Sequence, residues 1–157
     1  MRMDRNIKER GHDPYAEARK YPEGAYCPEC GAVYRQGRWI WSDVPVRLGN
    51  PVLCGACKRV RDAFPAGEVR LSGSYVKKHK DEILNLINKT VGQATSRSPL
   101  KRLMDIEEAE GNLVVRLTDD HLARRVAHAV HRAFKGDLRV RYSLEERFVR
   151  LQWQREM

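Results

Sequence analysis

The 157-residue chain has no apolar run near the roughly 18 residues that a membrane span needs. Its opening, Met1-Arg2-Met3-Asp4-Arg5-Asn6, lacks the apolar stretch of a secretory signal. A cytoplasmic protein without a membrane partner is the expectation. The strings G-x-x-x-x-G-K, H-E-x-x-H, G-x-S-x-G and G-x-G-x-x-G are missing, so the common nucleotide-binding and hydrolase signatures do not account for it. No cysteine stands outside a C-x-x-C pair, which leaves no spare thiol nucleophile, and an enzyme is not expected. Acid is scarcest where base is densest: residues 121 to 136 contain no Asp or Glu.

What is present is basic. Thirty Lys and Arg against 21 Asp and Glu give a formal charge of +9, a field that favours polyanions, nucleic acid foremost. The 41% of hydrophobic residues suffices for a modest core, one domain with a small satellite.

The most informative pattern is Cys27-x-x-Cys30 and Cys54-x-x-Cys57, two knuckles 23 residues apart. In a reducing compartment four such thiolates suit tetrahedral structural Zn²⁺, and Gly31 and Gly55 let the backbone curl around the ion. Four thiolates on a divalent cation bring the chain to about +7, still basic. Two hairpin knuckles would make a zinc ribbon; a second knuckle running into a helix would make a treble clef, and the sequence leaves both open. Tyr26, Tyr34, Trp39 and Trp41 cluster nearby, either packing around the knuckles or meeting a partner.

Along the chain, residues 1–25 are polar and interrupted by Pro14 and Pro22, an arm able to order on a protein partner. Residues 26–73 form the metal module, with a short helix over 58–64. Residues 74–157 read as an α+β domain of order αββαββ with an antiparallel sheet: a helix over 75–95, strands over 101–107 and 112–118, a helix over 120–134 capped by Thr118 or Asp119, and two alternating strands carrying Leu138, Val140 and Tyr142, then Val149, Leu151 and Trp153.

Two basic surfaces follow from these periods. Arg124, Arg125, His128, His131, Arg132 and Lys135 lie opposite the apolar face of the second helix, placed to follow phosphates. Arg116, Arg139, Arg141 and Arg150 share a sheet face with Phe148, an aromatic on which bases could stack. Solvated surface is the plainer reading of either stripe alone; two in one +9 chain favour RNA. A second metal at His128 and His131 is disfavoured, because no carboxylate is near to orient an imidazole.

The string Cys27-Pro28-Glu29-Cys30-Gly31-Ala32-Val33-Tyr34, with Gly37-Arg38-Trp39, Cys54-Gly55-Ala56-Cys57, Pro65-Ala66-Gly67, the run Asp119 to Arg125 and Gly136, resembles a bacterial family of short double-knuckle zinc proteins with no assigned role. More distantly, Ala123-Arg124-Arg125-Val126-Ala127, Ala133-Phe134-Lys135-Gly136 and Val149-Arg150-Leu151-Gln152-Trp153 look like the amino-terminal region of the archaeal and eukaryotic ribosomal large-subunit export adaptors. Those adaptors are longer and carry a second pair of knuckles. The resemblance implies a ribosomal-subunit or ribosomal-RNA partner met through Arg124, Arg125 and Arg150, and a role in assembly, quality control or hibernation. The alternative is a zinc adaptor for protein or DNA, using Trp39, Trp41 and the arm.

Overall fold

The computed structural model describes residues 21–42, 49–145 and 148–157. Its elements are β1 (Val33–Arg35), β2 (Arg38–Ile40), α1 (Gly55–Asp62), β3 (Gly67–Ser72), α2 (Ser74–Lys78), α3 (Lys80–Arg97), β4 (Leu103–Ala109), β5 (Asn112–Leu117), α4 (Asp120–Phe134), β6 (Asp137–Ser143) and β7 (Phe148–Gln154). The chain is α+β, with a two-stranded hairpin beside the cysteines and a five-stranded sheet of order β4-β5-β3-β7-β6.

The sheet is mixed, which corrects the antiparallel expectation. β3 pairs antiparallel with β5 and parallel with β7, and it occupies the centre. Its residues fall inside the range read as metal module, so the order becomes βααββαββ and the sheet begins at Gly67. Gly67, Val69 and Leu71 alternate with Glu68 and Arg70, a period-2 pattern that puts the first three on the helix-covered face.

On that face α3 contributes Ile83, Ile87, Val91 and Ala94, and α4 contributes Leu122, Ala123, Val126, Ala127 and Val130. They meet Val69, Leu71, Leu113, Val115, Leu117, Val149, Leu151 and Trp153 in one core. The helix expected over 75–95 is two helices. It breaks at His79, whose ring stacks on Tyr75 at 4.1 Å and whose Nδ1 bonds Glu82. Asp119 caps α4 by accepting from Leu122 N, as the sequence indicated. Val140, expected in the core, is 43% exposed: it lies on the helix side of β6, but β6 is an edge strand that α4 only partly covers.

A second core surrounds the cysteines. Tyr21, Tyr34 and Trp39 pack edge to face or tilted at 5.4 to 5.8 Å, with Ala25, Ala32 and Ala56 filling between. Residues 1–20 of the expected arm lie outside the described residues, while Tyr21 and the fully buried Ala25 join this core. No helix among the described residues is long and apolar enough to cross a membrane.

Candidate metal centre and basic surfaces

Gly31, at φ +84°, turns the first knuckle back so that its N–H reaches Cys27 O at 2.9 Å, and Cys27 N bonds Ala32 O at 2.8 Å. The second knuckle is the start of α1. Cys54 is the N-cap, and its Sγ accepts from Cys57 N at 3.5 Å, while Cys54 N donates to Cys27 Sγ at 3.4 Å. Tyr26 ties the two loops by pairing with Asn50 and Val52 on one side and Val33 on the other.

The four sulfurs lie within 4.8 Å of one another. Cys27 and Cys57 are 3.7 Å apart and Cys30 and Cys54 3.8 Å apart. A tetrahedron of sulfurs at about 2.3 Å from a central ion has an edge of about 3.8 Å, whereas a disulfide needs about 2.05 Å. The cluster therefore has the size of a metal site, and all four thiols are free.

The electrostatics point the same way. A bond from Cys54 draws the Cys30 thiol down to about 5, and the same bond, with burial, pushes Cys54 up. Burial also raises Cys57. Thiols this close share protons instead of all ionising, and only a central cation lets four thiolates coexist.

One residue of this centre gave no signal in the sequence. Arg102 Nη2 lies 3.0 Å from Cys57 Sγ and 3.3 Å from Cys54 Sγ, a cation set against the thiolates from outside the knuckles. It is delivered by the sheet domain. Arg102 N donates to Thr118 Oγ1, Thr118 N returns a bond to Arg102 O, and Thr118 Oγ1 donates to Leu100 O, fixing the turn into β4.

The residues expected to touch RNA divide into two groups. On the open sheet face, Glu68 is only 4% exposed and accepts from Arg150 Nε at 2.6 Å and Arg70 Nε at 2.9 Å, with Arg116 Nε at 3.9 Å. Arg116 also reaches Asp105 and Glu107 at 2.9 and 2.8 Å. Arg116 and Arg150 are thus held in a carboxylate network. Burial opposes the charge on Glu68, but the Arg150 bond and the neighbouring guanidiniums outweigh it and hold its carboxyl below the ordinary value. Phe148 lies half-buried on the same face, with the Arg150 guanidinium over its ring at 5.5 Å. Arg139 and Arg141 are exposed on this face, with no ion pair among the described residues.

On α4, Arg125, His128 and Arg132 are exposed at i, i+3 and i+7, a single ridge facing away from the sheet, and Lys135, expected on the helix, is its C-cap at φ +61° and exposed just past its end. Arg124 is half-buried and stacks on Tyr142 at 5.5 Å, His131 bonds Gly136 O, and Lys135 Nζ reaches back to Arg132 O. Trp39 is 4% exposed and so withdrawn from any partner; Trp41 Nε1 donates to Thr95 O at 2.6 Å, fastening the metal module to α3. Compared with protein-family models, curated proteins and solved structures, the chain matches none.

Proposed function

We propose that this chain is a non-enzymatic zinc protein of treble-clef type that binds structured RNA, with the ribosome as its place of action in the cytoplasm. The observation that carries the reading is the α4 ridge. Arg125, His128 and Arg132 share one helix face, with Lys135 just past its end and no carboxylate on the helix beyond its first turn, so their charge is directed outward. On the sheet face Arg116 and Arg150 are offset by Glu68, Asp105 and Glu107, leaving Arg139 and Arg141 as its outward charges, which supports the ridge as the main phosphate-binding surface.

Zinc is the ion that a four-cysteine tetrahedron of this size takes in structural sites. When bound it supplies the cross-link joining the two loops. Four protein ligands fill its coordination, so no position is left for substrate, and that supports a structural over a catalytic role. The hairpin after the first knuckle and the helix started by the second support the treble-clef form over the ribbon.

The test is the salt dependence of binding to ribosomal particles and to a defined ribosomal RNA fragment. Log K should fall linearly with log salt, and Arg125→Glu with Arg132→Glu should reduce the slope by about one unit for each phosphate that is no longer neutralised. These two residues are preferred to Arg124, whose stacking on Tyr142 would confound the result. Binding indifferent to salt would remove the RNA reading. It would favour the protein-adaptor alternative, for which the β6 edge offers the exposed Val140, Tyr142 and Leu144.

A further inference from the structure

Where the turn after α1 meets β6 and β7, the sheet has a hollow of about 590 Å³ lined by Phe64, Pro65, Arg141, Tyr142, Ser143, Phe148 and Arg150. We infer that this hollow is a binding site for a single unstacked nucleobase, with the adjoining phosphate on Arg141. The inference deepens the RNA reading and rests on it.

Three features select a base. The first is a pair of aromatic rings, Phe64 from the turn after α1 and Phe148 from β7, each beside an arginine. Phe64 is 42% exposed, yet it is fixed: Ala63 turns at φ +52°, and the buried Arg59 donates to Phe64 O and sits 5.9 Å from the ring. The Arg150 guanidinium lies 5.5 Å from the Phe148 ring, and Arg150 is bonded to Glu68. An exposed ring that the fold keeps rigid is a stacking surface whose ordering cost is already met.

The second is the division of charge. Arg150 and Glu68 offset one another, so the stacked wall is close to neutral and suits the face of a base. Arg141 stands directly across from Arg150 in the β6–β7 register without a carboxylate among the described residues, and Arg139 lies two residues further on the same face. Together they place net positive charge beside the apolar hollow, the arrangement that a base with its phosphate complements.

The third is continuity with the ridge. Arg124 of α4 lies over Tyr142 of β6, so the basic surface passes from α4 around the β6 edge to Arg139 and Arg141. A strand lying on the ridge can therefore cross this edge and seat one base in the hollow. A duplex cannot, because its bases remain stacked.

The test uses the full zinc-loaded chain with a fluorescent ten-nucleotide oligouridylate beside an abasic strand of the same length. The oligouridylate should bind roughly 5- to 150-fold more tightly, the range that one stacked base provides. Phe148→Ala should bring the two affinities together at an unchanged salt slope, and Phe64→Ala should narrow the gap. Phe148→Leu, which keeps apolar volume and removes the ring, takes the place of the alanine variant if that melts early. Photocrosslinks from 4-thiouridine should fall on peptides containing Phe64 or Phe148. Equal affinity for both strands, or crosslinks confined to α4, overturns the hollow and leaves the ridge intact. Absence of binding to either strand also overturns the hollow, whereas the RNA reading itself falls only if ribosomal particles and the ribosomal RNA fragment show no salt-dependent binding.

Discussion

Two residues hold the molecule together without being ligands of anything. Arg102 places two N–H···S bonds on Cys54 and Cys57 from the turn into β4, distant in sequence from both knuckles. Its truncation to Ala should lower zinc affinity about 10- to 100-fold in chelator competition, with far-UV circular dichroism retained, as for partners that orient and neutralise a ligand shell. The sequence could not disclose this role, because the arginine acts across 45 residues with no local pattern around it. Glu68 is the second. Its carboxyl titrates below the ordinary 4.5, so ionisation stabilises the fold above that value and the contribution is lost as pH falls through the lower folded pKa. Glu68→Gln should therefore cost roughly 1–3 kcal/mol in urea melts at pH 7. The difference from the unsubstituted chain should shrink below about pH 4.5. Equal stability of the two at neutral pH would show that the arginines are adequately served by water.

Among the elements, α1 depends most on the metal. Its eight residues are too few to persist alone, and its N-cap is a ligand. Cys54→Ala or exhaustive chelation should abolish α1 and the packing of Tyr21, Tyr34 and Trp39, read as a loss of near-ultraviolet circular dichroism. β6 and β7 differ in the opposite sense. Their alternation made them plain in the sequence, and Trp153 is fully buried as its phase required, with Nε1 donating to Lys135 O. Trp153→Ala should cost about 3–5 kcal/mol in urea melts. α4 and the β4–β5 hairpin were equally legible, the latter through Glu110 and Gly111, both at positive φ in the turn. β3 was not. It opens with Gly67 after Pro65, and its alternation spans only six residues beside a stronger metal signal. The break at His79 was hidden for another reason: no proline or glycine marks it, and a ring stack maintains it.

At the scale of the whole molecule the cysteines were readable from spacing alone, while the division of the basic residues into carboxylate-held Arg116 and Arg150 and outward-directed charges on α4 and β6 was not. Periodicity gives the face a residue occupies, but the carboxylates that answer it come from other strands. The placement of β3 gives a direct test of architecture. A chain of residues 74–157 lacks the central strand and should fail to give a cooperative melt, whereas residues 64–157 retain it and should melt as a unit. Cooperative folding of the shorter piece would mean that β5 and β7 can close without it. That same strand sets an order of events as the chain is made. β3 precedes its parallel partner β7 by everything from α2 to β6, with Gly67 meeting Val149 and Ser72 meeting Gln154. Closing a loop of this length costs entropy before any pairing compensates for it. A nascent chain can therefore pair β3 with β5 on one side while its other edge stays open until β7 appears. With a metal on the four cysteines immediately upstream, one end of that strand would already be anchored through the wait.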